Sequence, residues 1–329
     1  MNVRRRHISA LALTAVAALG AGTLTACSSD AAAGDTGKFD VVASFYPMAF
    51  LAERIGGEHV HVTSLTQPGQ EPHDLEISAR QTAQLEESDA ALFLKGLQPS
   101  VDEAVNQSPI ATKIDAAELT ALEEHGTEAG HGEEHGDGHA DEHAHEDDHG
   151  HDHDHEGGDP HIWLDPVKYA EVAEGVGKAF QKADPDHAAD YRKNTATLVK
   201  DLKALDDKFR TGLANRETDV FVTTHAAFGY LAERYGLTEE AISGLDPDTE
   251  PSGARVKELQ KIAEEDGVTT VFYETLVSDR TAKTLAGDTG LRTDVLDPVE
   301  GITDHSRGED YFQVMEANLT ALRTALGAR

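Results

Sequence analysis

The sequence has little cysteine, little positive charge and no long apolar stretch beyond its first residues. One Cys among 329 residues excludes an internal disulfide framework and a cysteine-based structural zinc site. Lys and Arg number 28 against 61 Asp and Glu, so the formal net charge is -33. This excess of negative charge argues against nucleic-acid binding and against electrostatic docking on anionic lipid.

Histidine is the residue that the sequence has in excess. There are 18 His in the chain, and ten of them lie between His125 and His155. Imidazole and carboxylate side chains together are ligands for transition metals. An acidic, histidine-rich and cysteine-poor chain therefore points first to metal ions.

Residues 1–26 have the pattern of a bacterial export signal. Three Arg at positions 4–6 precede an apolar run over 8–19, which is too short to span a membrane comfortably. The sequence Leu-Thr-Ala-Cys ending at Cys27 resembles a lipobox, so we expect cleavage before Cys27 and a diacylglycerol on its thiol. Residues 27–37 would then be a flexible tether that anchors the protein to the extracytoplasmic face of the cell membrane. The alternative is an ordinary signal peptide with an incidental Cys.

The mature chain alternates short apolar runs with amphipathic helical patterns, which predicts an α/β fold with mostly parallel sheets flanked by helices. The pattern covers residues 38–183 and starts again over 215–329, so we predict two α/β lobes. A charged pattern at helical spacing fills residues 184–214 between them. It predicts one long rigid linking helix from Pro185 to about Leu213, about 42 Å in length.

Residues 123–158 interrupt this pattern. They contain no Lys, no Arg and no aliphatic residue larger than Ala, so they cannot form a core, and we predict a disordered acidic loop. Its histidines are expected to capture metal weakly and with several stoichiometries. They are His125, His131, His135, His139, His143, His145, His149, His151, His153 and His155. The alternative is an acidic spacer that only aids solubility.

Three histidines outside this loop occupy places suited to ligand binding. His73 and His225 each follow a predicted strand, and open α/β sheets bind ligands at the carboxyl ends of their strands. His161 lies two residues before Trp163, the only Trp in the chain. Singly, each has an ordinary structural explanation, as a surface, core or capping residue. Together they suggest one site.

Four motifs give the chain a family resemblance. They are EPHD at 71–74, DPHIWLDP at 159–166, TTHAAFGY at 223–230 and LDPVEG at 296–301. In this order they resemble the motifs of zinc/manganese ABC-transporter substrate-binding lipoproteins. The match is closest to the zinc-specific branch, which carries a His-rich acidic loop before its second metal histidine.

The resemblance implies two lobes joined by one long helix, with a metal site in the cleft between them. It implies His73 and His161 as ligands from the first lobe and His225 as the third ligand. In the manganese branch the third position is typically Glu, so His225 favours zinc. Glu300 aligns best with the fourth ligand of the family.

Other groups are candidates for the fourth ligand, and nearby carboxylates are candidates for hydrogen bonds to the ligand histidines. Asp297, Glu274 and water are alternatives to Glu300. Asp74 and Asp165 are near enough in sequence to accept hydrogen bonds from the imidazoles and so to fix their tautomers.

The implied function is capture of Zn²⁺ outside the cytoplasm and its delivery to an ABC permease with its ATPase, by a protein that is expected to be a monomer. One alternative is a surface metal buffer or adhesin with the same site, and another is a manganese-type binding protein. A zinc hydrolase is less well supported, because a catalytic zinc needs an open coordination position and Glu300 would fill it.

Overall fold

The structure is a computed structural model, and it describes residues 37–125 and 158–329. The export signal, Cys27 and most of the tether lie outside the described residues. So do nine of the ten loop histidines: His131, His135, His139, His143, His145, His149, His151, His153 and His155. Within the described part, no helix is both long and apolar enough to cross a bilayer.

The first half of the chain builds a four-stranded sheet in which every neighbouring pair is parallel. Its strands are β1 (Phe39–Ala43), β2 (Val60–Ser64), β3 (Ala90–Phe93) and β4 (Thr112–Asp115). Their order is β2-β1-β3-β4, so the two buried strands β1 and β3 occupy the centre.

The second half repeats this arrangement with a different sequence. Its strands are β5 (Val220–Thr223), β6 (Thr238–Ala241), β7 (Thr270–Tyr273) and β8 (Arg292–Val295). They are again all parallel, in the order β6-β5-β7-β8. The predicted fold class, two α/β lobes with parallel sheets, is confirmed.

Helices connect and flank the strands, and several begin at a residue whose side chain caps the helix. They are α1 (Tyr46–Gly56), α2 (Ala79–Glu87), α3 (Pro99–Gln107), α4 (Pro166–Ala183), α5 (Ala188–Gly212), α6 (Gly229–Tyr235), α7 (Gly253–Glu265), α8 (Arg280–Thr289) and α9 (Tyr311–Ala325). Ser78 makes a capping box with Gln81, and the Asp165 and Asp310 side chains accept bonds from the first turns of α4 and α9.

The linking helix is shorter than predicted, and it packs against another helix. A 3₁₀ turn covers Pro185–His187, and α5 begins only at Ala188, so its 25 residues extend about 37 Å. The helix α5 is also not isolated, because α4 packs closely along it. A Cβ atom on Gly177 would lie 2.2 Å from the Thr195 hydroxyl oxygen, so only glycine permits this approach.

The helix α3 and the strands β4 and β6 have no clear signal in the sequence. The two strands lie at sheet edges, where one side carries no neighbouring strand. Their sequences, TKID and TEEA, are mostly polar and have no apolar run. Edge strands often carry charged side chains, which prevent pairing with strands of other molecules. Because such strands lack an apolar run, an apolar pattern does not predict them.

Candidate metal centre

His73, His161, His225 and Glu300 come together at one point. The Nε2 atoms of the three histidines lie 3.4, 3.5 and 3.7 Å from the same Oε1 atom of Glu300. The site is closed to solvent, because the His73 side chain is 6% exposed and the other three are at most 1% exposed.

These four atoms are all buried and have no hydrogen-bond partner among the described residues. A buried polar atom left unpaired costs about 1–3 kcal/mol, so four at one point call for a ligand. A tetrahedral zinc with bonds of about 2.0–2.1 Å separates its ligand atoms by about 3.3 Å. The observed separations from the Glu300 oxygen, 3.4 to 3.7 Å, are close to that spacing.

Each side chain reaches the site from the end of an element. His73 lies in the turn after β2 and His161 precedes α4, whereas His225 follows β5 and Glu300 follows β8. Two of the groups therefore precede the long helix α5 in sequence and two follow it. The carboxyl ends of parallel strands are the ordinary ligand-binding edge of such sheets.

The turn that presents Glu300 is strained and tightly held. Val299 has φ of 60° although it is β-branched, a conformation that costs about 1–3 kcal/mol. Its N–H donates to Asp297 Oδ1 at 2.8 Å, and the indole N–H of Trp163 donates to the Pro298 carbonyl at 2.6 Å. These buried bonds fix the backbone and hence the direction of the Glu300 side chain.

Carboxylates outside the site orient two of the imidazoles. His161 Nδ1 lies 2.7 Å from Asp159 Oδ1, and His225 Nδ1 lies 2.6 Å from Glu274 Oε1. A hydrogen bond at Nδ1 leaves Nε2 free as the ligand atom, the arrangement usual for metal-binding histidines.

The carboxylates named from sequence proximity have other roles. The expectation for Asp165 was wrong, because it caps α4 and binds Arg234 at 2.6 and 2.8 Å. Asp74 is exposed, and the neighbouring Asp248 carboxyl group raises its pKa. Of the rivals to Glu300, Glu274 holds His225, and Asp297 accepts from Val299 and Thr275.

The charges of the cluster depend on each other. Burial opposes protonation of His161 and His225, yet neighbouring carboxylates raise both pKa values, that of His161 to about 9. For His161 the main partner is Asp159, and for His225 it is Glu274. Burial lowers the pKa of His73. Burial also works against ionisation of Glu300, but the three nearby imidazoles lower its pKa well below the usual range.

Glu71 is a further, partly buried carboxylate beside the four candidate ligands. Burial and the nearby Glu300 carboxylate raise its pKa to about 8. Its Oε1 is buried and unpaired among the described residues, and its Oε2 accepts from the Asp74 N–H at 3.2 Å. Glu71 belongs to the EPHD motif, so the signal was present, but only the fold shows that it faces Glu300.

The two ends of the predicted acidic loop hold defined positions. Glu123, Glu124 and His125 are described, as is Gly158, and His125 makes specific contacts with Asp159 and Glu233. Composition predicted disorder for all of 123–158. These end residues pack on α6 and its neighbours, which composition does not reveal.

Known proteins were compared with this chain. The family described as "ZnuA: Zinc-uptake complex component A periplasmic" matches residues 41–325. The high-affinity zinc uptake system protein ZnuA of Bacillus subtilis is 34% identical over 295 residues, 88% of each protein. The zinc-binding lipoprotein AdcA of Streptococcus pneumoniae is 34% identical over 309 residues, 91% of this chain.

The AdcA relatives are longer than this chain, which spans only 58% of the Streptococcus pneumoniae protein. The solved Zn(II)-bound ZnuA-like domain of that protein is 30% identical, with a TM-score of 0.69. The likeness covers 88% of this chain and 99% of that domain. The chain belongs to the family of periplasmic component A proteins of zinc-uptake complexes.

Proposed function

We propose that this chain binds one Zn²⁺ through His73, His161, His225 and Glu300 and supplies it for uptake. The observation that carries the proposal is the set of four buried, unpaired donor atoms at separations near those of a tetrahedral zinc. The zinc-binding names of its relatives support the same conclusion.

The donor set supports zinc over manganese. Three imidazoles and one carboxylate suit zinc, whereas manganese, calcium and magnesium prefer oxygen ligands. With neutral imidazoles and ionised Glu300, the bound ion keeps a net charge of about +1. The nearby carboxylates Asp159 and Glu274 offset that charge through the histidines that they hold.

For the wider role, we propose that the protein delivers zinc to an ABC permease driven by its ATPase. Membership of a family of zinc-uptake components supports a transporter as the partner. A lipid on Cys27 would hold the protein at the extracytoplasmic face of the cell membrane, and it would act as a monomer. Mass spectrometry of the mature N-terminus tests the anchor, with Cys27→Ser as the comparison.

The alternatives make different predictions about cells. A surface buffer or adhesin would share the metal site but would not be needed for zinc uptake. A zinc hydrolase would need an open coordination position, which the buried Glu300 would occupy. The spacing His-Glu-x-x-His occurs at 145–149, but that motif works on a helix and the Gly- and Asp-rich segment around it does not favour one.

Competition titration with a zinc chelator tests the binding step. The wild type should retain one tightly bound zinc, and His161→Ala should lose it. Growth under zinc chelation tests the transport step: cells without this gene should grow poorly, and Cys27-anchored wild type should rescue them. Normal growth of the deletion strain, with other zinc importers removed, would contradict the transport role.

A further inference from the structure

His73 differs from the other two candidate histidines in how its ring is held. Outer carboxylates hold Nδ1 of both His161 and His225. In the described part of the chain, no carboxylate pairs with Nδ1 of His73, and its ion pair with Glu300 is made by Nε2. The direction of the His73 ring therefore depends more strongly on the backbone that carries it.

That backbone is held at the carbonyl oxygen of Pro72. The oxygen accepts from the Leu75 N–H at 3.2 Å and from Nε2 of the Gln98 side chain at 3.1 Å. The Pro72 carbonyl and the His73 nitrogen belong to one planar peptide group. Because the two bonds fix this plane, they also fix the direction in which the His73 side chain leaves the backbone.

The start of α3 places Gln98 for this contact. Gln98 precedes Pro99, and its own carbonyl accepts from the N–H groups of Val101 and Asp102, both at 3.0 Å. Its side chain makes no capping bond to α3, although side chains at this position commonly cap a helix. The amide group is directed into the protein instead, and the residue is 1% exposed.

The neighbours of Gln98 fix which end of its amide is the donor. Nε2 lies 3.0 Å from Thr66 Oγ1 and 3.1 Å from the Pro72 carbonyl oxygen. The Thr66 hydroxyl already donates to the Ser44 carbonyl at 2.8 Å, so towards Gln98 it can only accept. Both neighbours therefore require the NH₂ group, and each receives one of its two hydrogens.

The same network fastens the turn that carries His73 to the first sheet. Ser44, Thr66 and Gln98 follow the neighbouring strands β1, β2 and β3. In α3, the Ser100 hydroxyl donates to the Leu75 carbonyl, at the other end of the turn. Residues at the start of α3 thus hold the turn at both of its ends.

Stability alone does not account for a glutamine at this position. Gln98 Oε1 is buried and has no hydrogen-bond partner among the described residues, which costs free energy. A Met side chain has a similar length and would avoid that cost. With Met there, the Pro72 carbonyl would still accept from Leu75 and the Thr66 hydroxyl would still donate to Ser44. The Gln98 amide adds its bond to the Pro72 carbonyl, next to a metal ligand.

We propose that Gln98 is a positioning residue for metal binding, whose amide holds the Pro72 carbonyl and so directs His73 at the metal. This role rests on the proposed function, since it requires that His73 binds zinc. Loss of an outer partner of a metal ligand typically costs 10–100-fold in affinity. We expect the lower end of that range for Gln98, because the Leu75 N–H continues to hold the carbonyl.

Chelator competition on the full chain with matched variants tests this role. Gln98→Met removes both donor hydrogens and should lower zinc affinity by about tenfold. Gln98→Glu should lower it at least as much, because an ionised carboxylate would face two acceptors. The control Gln181→Met removes a partly buried amide that donates to the Gly177 carbonyl at 2.8 Å, near the far end of α4. Its zinc affinity should match that of the wild type.

A double-mutant cycle separates positioning of His73 from a general structural role. If Gln98 acts through His73, then Gln98→Met should change the remaining zinc affinity of His73→Ala by less than about twofold. Urea unfolding of the metal-free protein checks that Gln98→Met is folded. Should it fail to fold, Ser100→Ala frees the other end of the turn, and its loss of affinity should likewise disappear without His73.

The outcomes distinguish this role from the proposed function. Normal zinc binding by the wild type with unchanged affinity in Gln98→Met would overturn the role of Gln98 alone. A tenfold loss that persists in the absence of His73 would overturn it as well. Failure of the wild type to bind zinc would contradict the proposed function and, with it, the role of Gln98.

Discussion

The histidines of the cleft and His125 make the same kind of contact in different surroundings. In both His161 and His125, Asp159 holds Nδ1 while Nε2 faces a Glu carboxylate. They differ in exposure: the cleft side chains are 0–6% exposed, whereas His125 is 17% and Glu233 60% exposed. Both ring nitrogens of His125 are paired with carboxylates, whereas Nε2 of His161 has no hydrogen-bond partner among the described residues. The comparison teaches that buried, unpaired donor atoms, more than the presence of imidazole and carboxylate, mark the metal centre.

Loss of a cleft ligand should have the largest effect. His225→Ala removes one donor and also leaves the Glu274 carboxylate without its buried partner. Removal of an outer-sphere partner typically costs 10–100-fold in metal affinity, so we expect loss of a direct ligand to cost more than about 100-fold. Chelator competition measures the change. The control His305→Ala removes an exposed histidine and should leave the affinity unchanged.

Acid should weaken zinc binding in the cleft steeply. The pKa of His161 is raised to about 9 and that of His225 is raised as well, so both hold protons at neutral pH that zinc must displace. The pKa of His73 is lowered, so it contributes no proton there.

Because protons and zinc compete for the same nitrogens, the zinc affinity of the cleft rises with pH up to about 9. It falls as the pH is lowered and the histidines are protonated. We expect about two protons released per zinc in the cleft near pH 7, or about 100-fold in affinity per pH unit. Calorimetry in buffers of different ionisation enthalpy counts these protons. Release of no proton on filling the cleft would contradict the assigned charges.

Asp159→Asn should weaken zinc binding in the cleft, because the amide is a poorer acceptor than the carboxylate for the Nδ1–H of His161. We expect about 10–100-fold loss of zinc affinity. Glu274→Gln, which replaces the carboxylate that holds His225, should have an effect of similar size. Chelator competition measures both losses, and unchanged affinity in both variants would show that these carboxylates do not position the imidazoles.

Trp163→Phe should have the smallest effect and should act on the cleft alone. The Phe ring cannot donate to the Pro298 carbonyl, so a buried acceptor loses its partner and stability falls by about 1–3 kcal/mol. The loosened turn around Val299 should lower zinc affinity in the cleft by a few-fold. Thermal or urea unfolding measures the first effect, and titration the second. An unchanged cleft affinity would show that Glu300 is positioned without this bond.

Local patterns in the sequence predicted the two parallel sheets because their central strands are apolar and their helices carry capping residues. The edge strands β4 and β6 escaped prediction, since polar segments such as TEEA resemble loops until a neighbouring strand is present. The 3₁₀ turn before α5 was missed for a related reason, because Asp184-Pro185 is compatible with either kind of helix start.

The residues of the candidate site were predictable where a motif carried them. His73, His161, His225 and Glu300 were all named, and the structure brings them together. The roles of Asp159, Glu274 and Glu71 depend on distances across the fold, which spacing along the chain does not give. Asp159 begins the DPHIWLDP motif, but only the fold shows that its two oxygens hold His125 and His161.

The most direct test of the account is a crystal structure of the protein loaded with one equivalent of zinc. The account predicts a single tetrahedral ion bound by Nε2 of His73, His161 and His225 at about 2.0–2.1 Å and by Glu300 at about 2.0–2.2 Å. Zinc bound elsewhere in the chain, with these four side chains still directed at one another, would contradict it.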